Sequence, residues 1–310
     1  MQTKERINRI KNWISDYCKN MPTEAKALVI GISGGIDSSV TSTLCALTGK
    51  KTIVLSMPIN QIKDQHNLSL KHQEWLKSKF KNVEGHIVKL DNVFDNFKSS
   101  LSNFKNEHGL ANSRARLRMT TLYQVAASNN GIVVGTGNKV EDFGVGFYTK
   151  YGDGGVDISP IADCTKTQVW EMGKSLGIIK EIIEAEPTDG LWDDGRTDTN
   201  QLGMSYNELE KAMIDKNSES YGKYLEIRKK NSAMSRLTKA KSEATTRART
   251  ALENEFITQG VATAVSRKCS ELYDTFSKQI EDLTIEKIKA ILGSKEFFEK
   301  YEKEEMDFQR

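Results

Sequence analysis

Cysteine, proline and histidine each occur only four times in these 310 residues, and no Cys-x-x-Cys pair is among them. Cys18, Cys45, Cys164 and Cys269 lie far apart, which argues against a zinc site or a thiol-based sulfur carrier and suits a reducing cytoplasm. The histidines (His66, His72, His86 and His108) fall on polar stretches, so no catalytic proton is expected from them. No apolar run approaches the ~18 residues that a membrane span requires. The start, Met1-Gln2-Thr3-Lys4-Glu5-Arg6, lacks the apolar centre and cleavage site of a signal peptide. An excess of one charge is also missing. With 45 basic against 42 acidic side chains the net charge is +3, so nothing demands nucleic acid or membrane as a partner. The basic stretch Arg228–Arg249 and the acidic Glu296–Asp307 read as solvated faces.

What is present alternates. Ile7, Ile10, Trp13, Ile14 and Tyr17 recur at helical spacing. Apolar strands are expected at Leu28–Ile32, Thr52–Met57, His86–Leu90 and Gly131–Gly135, separated by helical patterns at Val40–Leu47, Lys63–Phe80, Val93–Phe104 and Ala111–Ala127. Alternation at this spacing predicts a doubly wound parallel α/β sheet with helices on both faces and ligands at the carboxyl ends of the strands. The stretch Thr136–Asp163 is glycine-rich, polar and too long for a plain connector, so it is expected to be functional. Lys166–Leu176 reads as a helix, and Ser205-Tyr206-Asn207-Glu208 as a capping box opening another. No proline follows Pro187, and from about Ser232 the pattern turns charged and helical. The expected division is a catalytic domain over 1–231 and a helical C-terminal extension over 232–310.

The chain centres on Gly31-Ile32-Ser33-Gly34-Gly35-Ile36-Asp37-Ser38, a glycine turn between the first strand and a helix. Glycines let the backbone approach an anion, and free amides at the helix start point toward it. A Walker A loop is excluded, because no lysine lies between Lys26 and Lys50. The dinucleotide fingerprint is excluded by the glycine spacing. Asp37 stands where such loops carry a cation, and an acid beside phosphate makes sense only with a divalent ion between them. It therefore reads as a Mg²⁺ ligand.

This string resembles the pyrophosphate-binding loop of the ATP-pyrophosphatase superfamily. With Ala115–Tyr123, Gly135–Glu141, Thr149–Asp157 and Pro160–Thr167 in register, it resembles the ammonia-dependent NAD⁺ synthetase family over roughly residues 5–230. The resemblance implies a Rossmann-like, adenine-nucleotide-α-hydrolase-like core in a cytoplasmic homodimer. It implies a ligase that uses ATP and ammonia to amidate deamido-NAD⁺ through an acyl-adenylate, with no glutaminase region of its own. It assigns ATP to residues 31–38, Thr136, Lys166 and Thr188, and Mg²⁺ to Asp37 and Glu141. Arg116, Lys150 and Asp157 fall to the deamido dinucleotide. Asp37, Lys166 and Asp157 are then the expected catalytic set. Asp153 is open between assisting a metal and forming a turn, and Tyr206 and Trp192 between structural and ligand-facing roles. Asp198-Thr199 is expected in a partly exposed loop. Where the family carries a His-Lys pair, Ser232-Ala233-Met234-Ser235-Arg236 stands instead, with Arg236 or Lys239 as substitute cation.

Overall fold

The structure is a computed structural model that describes residues 1–61, 63–104, 106–188 and 197–231. Four strands are β1 (Ala27–Gly31), β2 (Lys51–Ser56), β3 (Val83–Ile87) and β4 (Gly131–Val133). They form one sheet in the order β3-β2-β1-β4, and every pairing is parallel. Helices among the described residues include α1 (Thr3–Asn20), α2 (Ile36–Leu47), α3 (Lys63–Lys79), α4 (Asp91–Ser100), α5 (Glu107–Ser128), α6 (Lys166–Leu176), α7 (Lys180–Glu184), α8 (Asp198–Leu202) and α9 (Tyr206–Ile214), and residues 221–231 are helical as well.

Strand periodicity divides the core into two layers. Leu28 and Ile30 of β1 pack with Ile7 and Ile14 of α1, Val40 and Leu44 of α2, and Val169 and Met172 of α6. Ala27 and Val29 point to the other face and join Ile53 and Leu55 of β2, Phe94 of α4 and Ala126 of α5. The sheet is thus covered on both sides, as its near-continuous apolar strands require. Among the described residues no helix is long and apolar enough to cross a membrane.

The third strand lies three residues earlier than its apolar pattern suggests, pairing Val83 with Thr52 through Ile87 with Ser56. Among the described residues it pairs only with β2, and at Gly85 an added Cβ would stand 2.0 Å from Gln73 Nε2 of α3. Close helix approach and the β2 ladder fix its position, overriding side-chain propensity. The fourth strand is correspondingly short. Past Val133 the chain continues by a parallel bridge between Val134 and Ile158, with the Gly135 amide donating to Ile158 O at 2.8 Å. This bridge ties the long segment after β4 back onto the sheet.

Strand order places a topological switch at β1 and β4. The chain runs outward through β2 and β3, then returns to the other side of β1, so the connections leaving β1 and β4 part and open a crevice at their carboxyl ends.

Candidate active site

The turn after β1 enters α2 through Gly34, whose φ of 89° lies in the left-handed region that glycine adopts without strain. Two of its amides bond to its own serines. The Ser33 amide donates to Ser38 Oγ and the Gly35 amide to Ser33 Oγ, each at 3.2 Å, while Ser38 Oγ donates to Gly35 O at 3.0 Å. The result is a compact cradle at the start of α2, with Ile32, Gly34 and Ile36 buried beneath it.

Into the mouth of that cradle project side chains from three separate elements. Asp37 comes from the first turn of α2, Glu141 from a π-helical turn at Lys139–Val145, and Lys166 from the first residue of α6. Lys166 Nζ donates to Asp37 Oδ2 at 2.6 Å and to Glu141 Oε1 at 2.9 Å. The lysine side chain is only 2 % exposed. Asn138 locks the arrangement. Its Nδ2 donates to Asp37 Oδ1 at 3.1 Å, and its Oδ1 accepts from the amides of Val140 and Glu141, capping the π-turn. Behind the glutamate, the Tyr206 hydroxyl reaches Glu141 Oε1 at 2.5 Å and Asp198 Oδ2 at 2.7 Å, and the Tyr206 ring lies 4.6 Å from the Lys166 ammonium.

The electrostatics follow from burial and pairing. Burial pushes the Asp37 carboxyl upward against the pull of Lys166. Burial also disfavours the Glu141 charge, but Lys166 and the hydroxyl of Tyr206 outweigh it and leave its pKa below the ordinary value. Burial alone would lower Lys166; two carboxylates overcome this and hold it protonated. An exposed ion pair is worth little, whereas removing one member of a buried set leaves an uncompensated charge.

The expected substrate residues gather at one edge. Arg116 of α5 donates Nε to Lys150 O at 3.2 Å, and Lys150 Nζ sits 4.7 Å from the Tyr151 ring. Asp157 is anchored to the scaffold: Oδ2 accepts from the Val133 amide at 2.7 Å and Oδ1 from the Tyr123 hydroxyl at 3.0 Å. Asp153 accepts from the Thr149 amide at 2.9 Å, a turn-forming contact. Thr136 and Thr188 are partly buried, the first immediately beyond β4. Asp198, expected in a partly exposed loop, is buried at 5 % where it opens α8. Trp192, Arg236, Lys239, Cys269 and the extension 232–310 lie outside the described residues. Cys18, Cys45 and Cys164 are buried and free. Reading the sequence missed Asn138, although it stands inside the quoted Gly135–Glu141 motif; an asparagine three residues before a candidate ligand was the available signal. Tyr206, open between structural and ligand-facing roles, proves to back Glu141, and Asp198 joins it through the Tyr206 hydroxyl, a relation made only by the fold.

Comparison with known proteins bears on this constellation. Residues 6–250 match the NAD synthase family. The chain belongs to that family. It is accordingly a C–N bond-forming ligase. Among relatives of this NAD synthase-family chain, the NH₃-dependent NAD⁺ synthetase of Carboxydothermus hydrogenoformans is 36% identical over 216 residues, spanning 68% of this chain and 85% of that protein. The NMN synthetase structure from Francisella tularensis is 37% identical, with a TM-score of 0.67, and the match covers 74% of this chain and 92% of that one. The NH₃-dependent NAD synthetase of Campylobacter jejuni, solved with a nitrate ion, is 26% identical with a TM-score of 0.61, covering 75% and 96%. The parallel α/β sheet expected from the alternating pattern is the architecture of these relatives.

Proposed function

We propose that the chain amidates the nicotinate carboxylate of deamido-NAD⁺ with ammonia, using ATP and releasing AMP and pyrophosphate. The observation that carries this reading is the meeting of Asp37, Glu141 and Lys166 beside the Ser33–Ser38 cradle at the carboxyl ends of β1 and β4. A carboxylate is a poor electrophile. Its oxygen attacks the α-phosphorus of ATP, the bond to pyrophosphate breaks, and an acyl-adenylate results. Ammonia then adds to the acyl carbon, AMP leaves, and the surplus proton passes to solvent. Little covalent work falls to the protein, which positions reactants and meets their charge.

In this reading the residue 31–38 loop and Thr136 hold ATP with Thr188, while Lys166 offsets phosphate charge. Arg116 and Lys150, neighbours through one hydrogen bond, face the anionic dinucleotide. Asp157 holds the substrate loop against β4 and borders that ligand. The donor set fits Mg²⁺: two hard carboxylates converge on a point already chosen by a cation, and among the described residues no three-ligand protein cage occurs. Mg²⁺ characteristically takes one or two carboxylates and completes its shell with phosphate and water. Asp37 and Glu141 would hold it, and it would supply charge neutralisation to the leaving pyrophosphate. The reading includes a cytoplasmic homodimer and a division between a 1–231 domain and a 232–310 extension.

A second reading has a specific basis. The Francisella NMN synthetase is 37% identical, level with the 36–38% of NH₃-dependent NAD⁺ synthetases such as those of Carboxydothermus hydrogenoformans and Methanococcoides burtonii. The mononucleotide analogue carries the same nicotinate carboxylate. One assay decides between them. Purified protein is incubated with ATP, Mg²⁺ and ammonium, together with either deamido-NAD⁺ or nicotinic acid mononucleotide. NAD⁺ formed with one AMP per turnover supports the first reading; turnover confined to the mononucleotide replaces it with the second. No product from either acid refutes both.

A further inference from the structure

The gap between Asp37 and Glu141 is filled. Lys166 Nζ lies 2.6 Å from Asp37 Oδ2 and 2.9 Å from Glu141 Oε1, with its side chain 2 % exposed. A Mg²⁺ ion held by those same oxygens would sit about 2.1 Å from each, which is nearly where the ammonium nitrogen stands. Both cations cannot occupy that point. We propose that Lys166 is the resident counter-ion of the Asp37–Glu141 pair in the nucleotide-free protein, and that it must vacate the pair for a divalent cation to enter. Departure of the lysine frees its ammonium for the polyphosphate, so metal entry and lysine delivery are one event. This rests on the reading of Asp37 and Glu141 as metal ligands.

Several features make the lysine an exchangeable occupant. The acids do not depend on it for their placement. Asp37 Oδ1 is held by Asn138 Nδ2 at 3.1 Å, Glu141 Oε1 by the Tyr206 hydroxyl at 2.5 Å, and the Glu141 amide by Asn138 Oδ1 at 3.1 Å. A pair fixed by other groups survives the loss of its counter-ion in a geometry fit to receive another. Charge counting favours exchange as well: two carboxylates with one ammonium leave a deficit of one positive charge, which a divalent ion removes. Among the described residues the ammonium also meets the Tyr206 ring at 4.6 Å, a cation–π contact that imposes little geometry. The cradle has a partly matching arrangement: Ser38 and Ser33 hydroxyls occupy the amides of Ser33 and Gly35.

The test measures metal binding without nucleotide. Mn²⁺ is titrated into the full chain and free Mn²⁺ is read by electron paramagnetic resonance, for wild type, Lys166→Met and the double variant Asp37→Asn/Lys166→Met, with folding checked by circular dichroism. Lys166→Met should bind one Mn²⁺ about tenfold tighter than wild type or better, a difference of about 1.4 kcal/mol, and the double variant should lose the gain. Equal affinity in folded Lys166→Met and wild type overturns the exchange. A separate arm with ATP present protects the distinction: if Asp37→Asn leaves Mn²⁺ binding unchanged there, the metal-ligand reading itself fails. A measurement on wild type guards against a variant that does not fold. Acetylation of Lys166 by an N-hydroxysuccinimide ester, followed by mass spectrometry, should be slow without metal and rise several-fold with Mg²⁺, but not with NaCl of equal ionic strength. Labelling indifferent to Mg²⁺ overturns the proposal.

Discussion

Asn138 braces both Asp37 and the turn that carries Glu141, and its replacement tests that bracing directly. The side chain is fully buried and makes three hydrogen bonds: one donated to Asp37 Oδ1, two accepted from the amides of Val140 and Glu141. Asn138→Ala removes the cap of the π-turn, costing about 1 kcal/mol, and a hydrogen bond to a charged acceptor, costing about 1.5–3 kcal/mol. A combined loss of about 2–4 kcal/mol corresponds to a melting temperature lower by roughly 5–15 °C for a domain of this size. Turnover should fall by at least about tenfold, because Asp37 and Glu141 lose their shared brace. Asn138→Asp separates the two functions. It keeps the acceptor for both amides but sets an oxygen 3.1 Å from Asp37 Oδ1 where a donor stood. Its stability loss should therefore be smaller than that of Asn138→Ala at mildly acidic pH, where one of the facing acids carries a proton. Its activity at neutral pH should be as poor. Scanning calorimetry and steady-state AMP release read both quantities. If Asn138→Ala melts and turns over like wild type, or Asn138→Asp regains activity, the bracing argument is wrong.

Other consequences are independent of that one. His72 is fully buried, lies 2.9 Å from Ser42 Oγ, and burial depresses its pKa from 6.5 to about 4. The fold then binds fewer protons than the unfolded chain, so its contribution is complete above pH 6.5 and is lost as pH falls toward 4. The loss is limited to about 3 kcal/mol, and urea unfolding of His72→Gln should lack that acid slope. Gly131→Ala would place a Cβ 2.6 Å from Ala27 O, a backbone atom in the β1–β4 ladder; a loss of about 1–3 kcal/mol should appear as a lower urea midpoint. Asp157→Ala strands the Val133 amide, so turnover and melting temperature should fall together, whereas Asp157→Asn keeps an acceptor there and should melt near wild type. An Asp157→Asn protein that melts normally yet binds substrate poorly by titration would show that its second oxygen serves the ligand.

The legible parts of the fold were those written locally. The opening loop announces itself through glycine and serine between a β-branched strand and a helical repeat. The α9 start is encoded by the Ser205–Glu208 box, present as paired hydrogen bonds, and α6 begins at Lys166 behind the equivalent Thr165–Gln168 box. What sequence pattern could not carry were relations between distant elements. The apolar spacing of the first helix marks Trp13 and Tyr17 as candidates for burial, yet they are 45% and 39% exposed, while Cys18 is fully buried. The packing partner decides which flank of an amphipathic face is covered. β3 starts earlier than its apolar pattern because the ladder with β2 runs from Val83 to Ile87, a register that the pattern does not carry. The π-turn is likewise invisible: its extra residue per turn is stabilised by Asn138 and by the left-handed Gly146 that closes it, with φ 69°. Tyr206 reaches Glu141 across 65 residues of chain and carries Asp198 with it through its hydroxyl, a distance that no short motif spans.

Lys166 is the opening residue of α6. Peptide dipoles sum to a partial positive charge at that end of a helix, where anions are favoured and ammonium groups are not. The helix thus repels its own first side chain, and two acids must restrain it. Under the proposed function, a polyphosphate docking against α2, whose start carries the same polarity, would offer that charge another partner. In the proposed exchange the helix dipole and the two acids therefore pull on one ammonium in opposite senses.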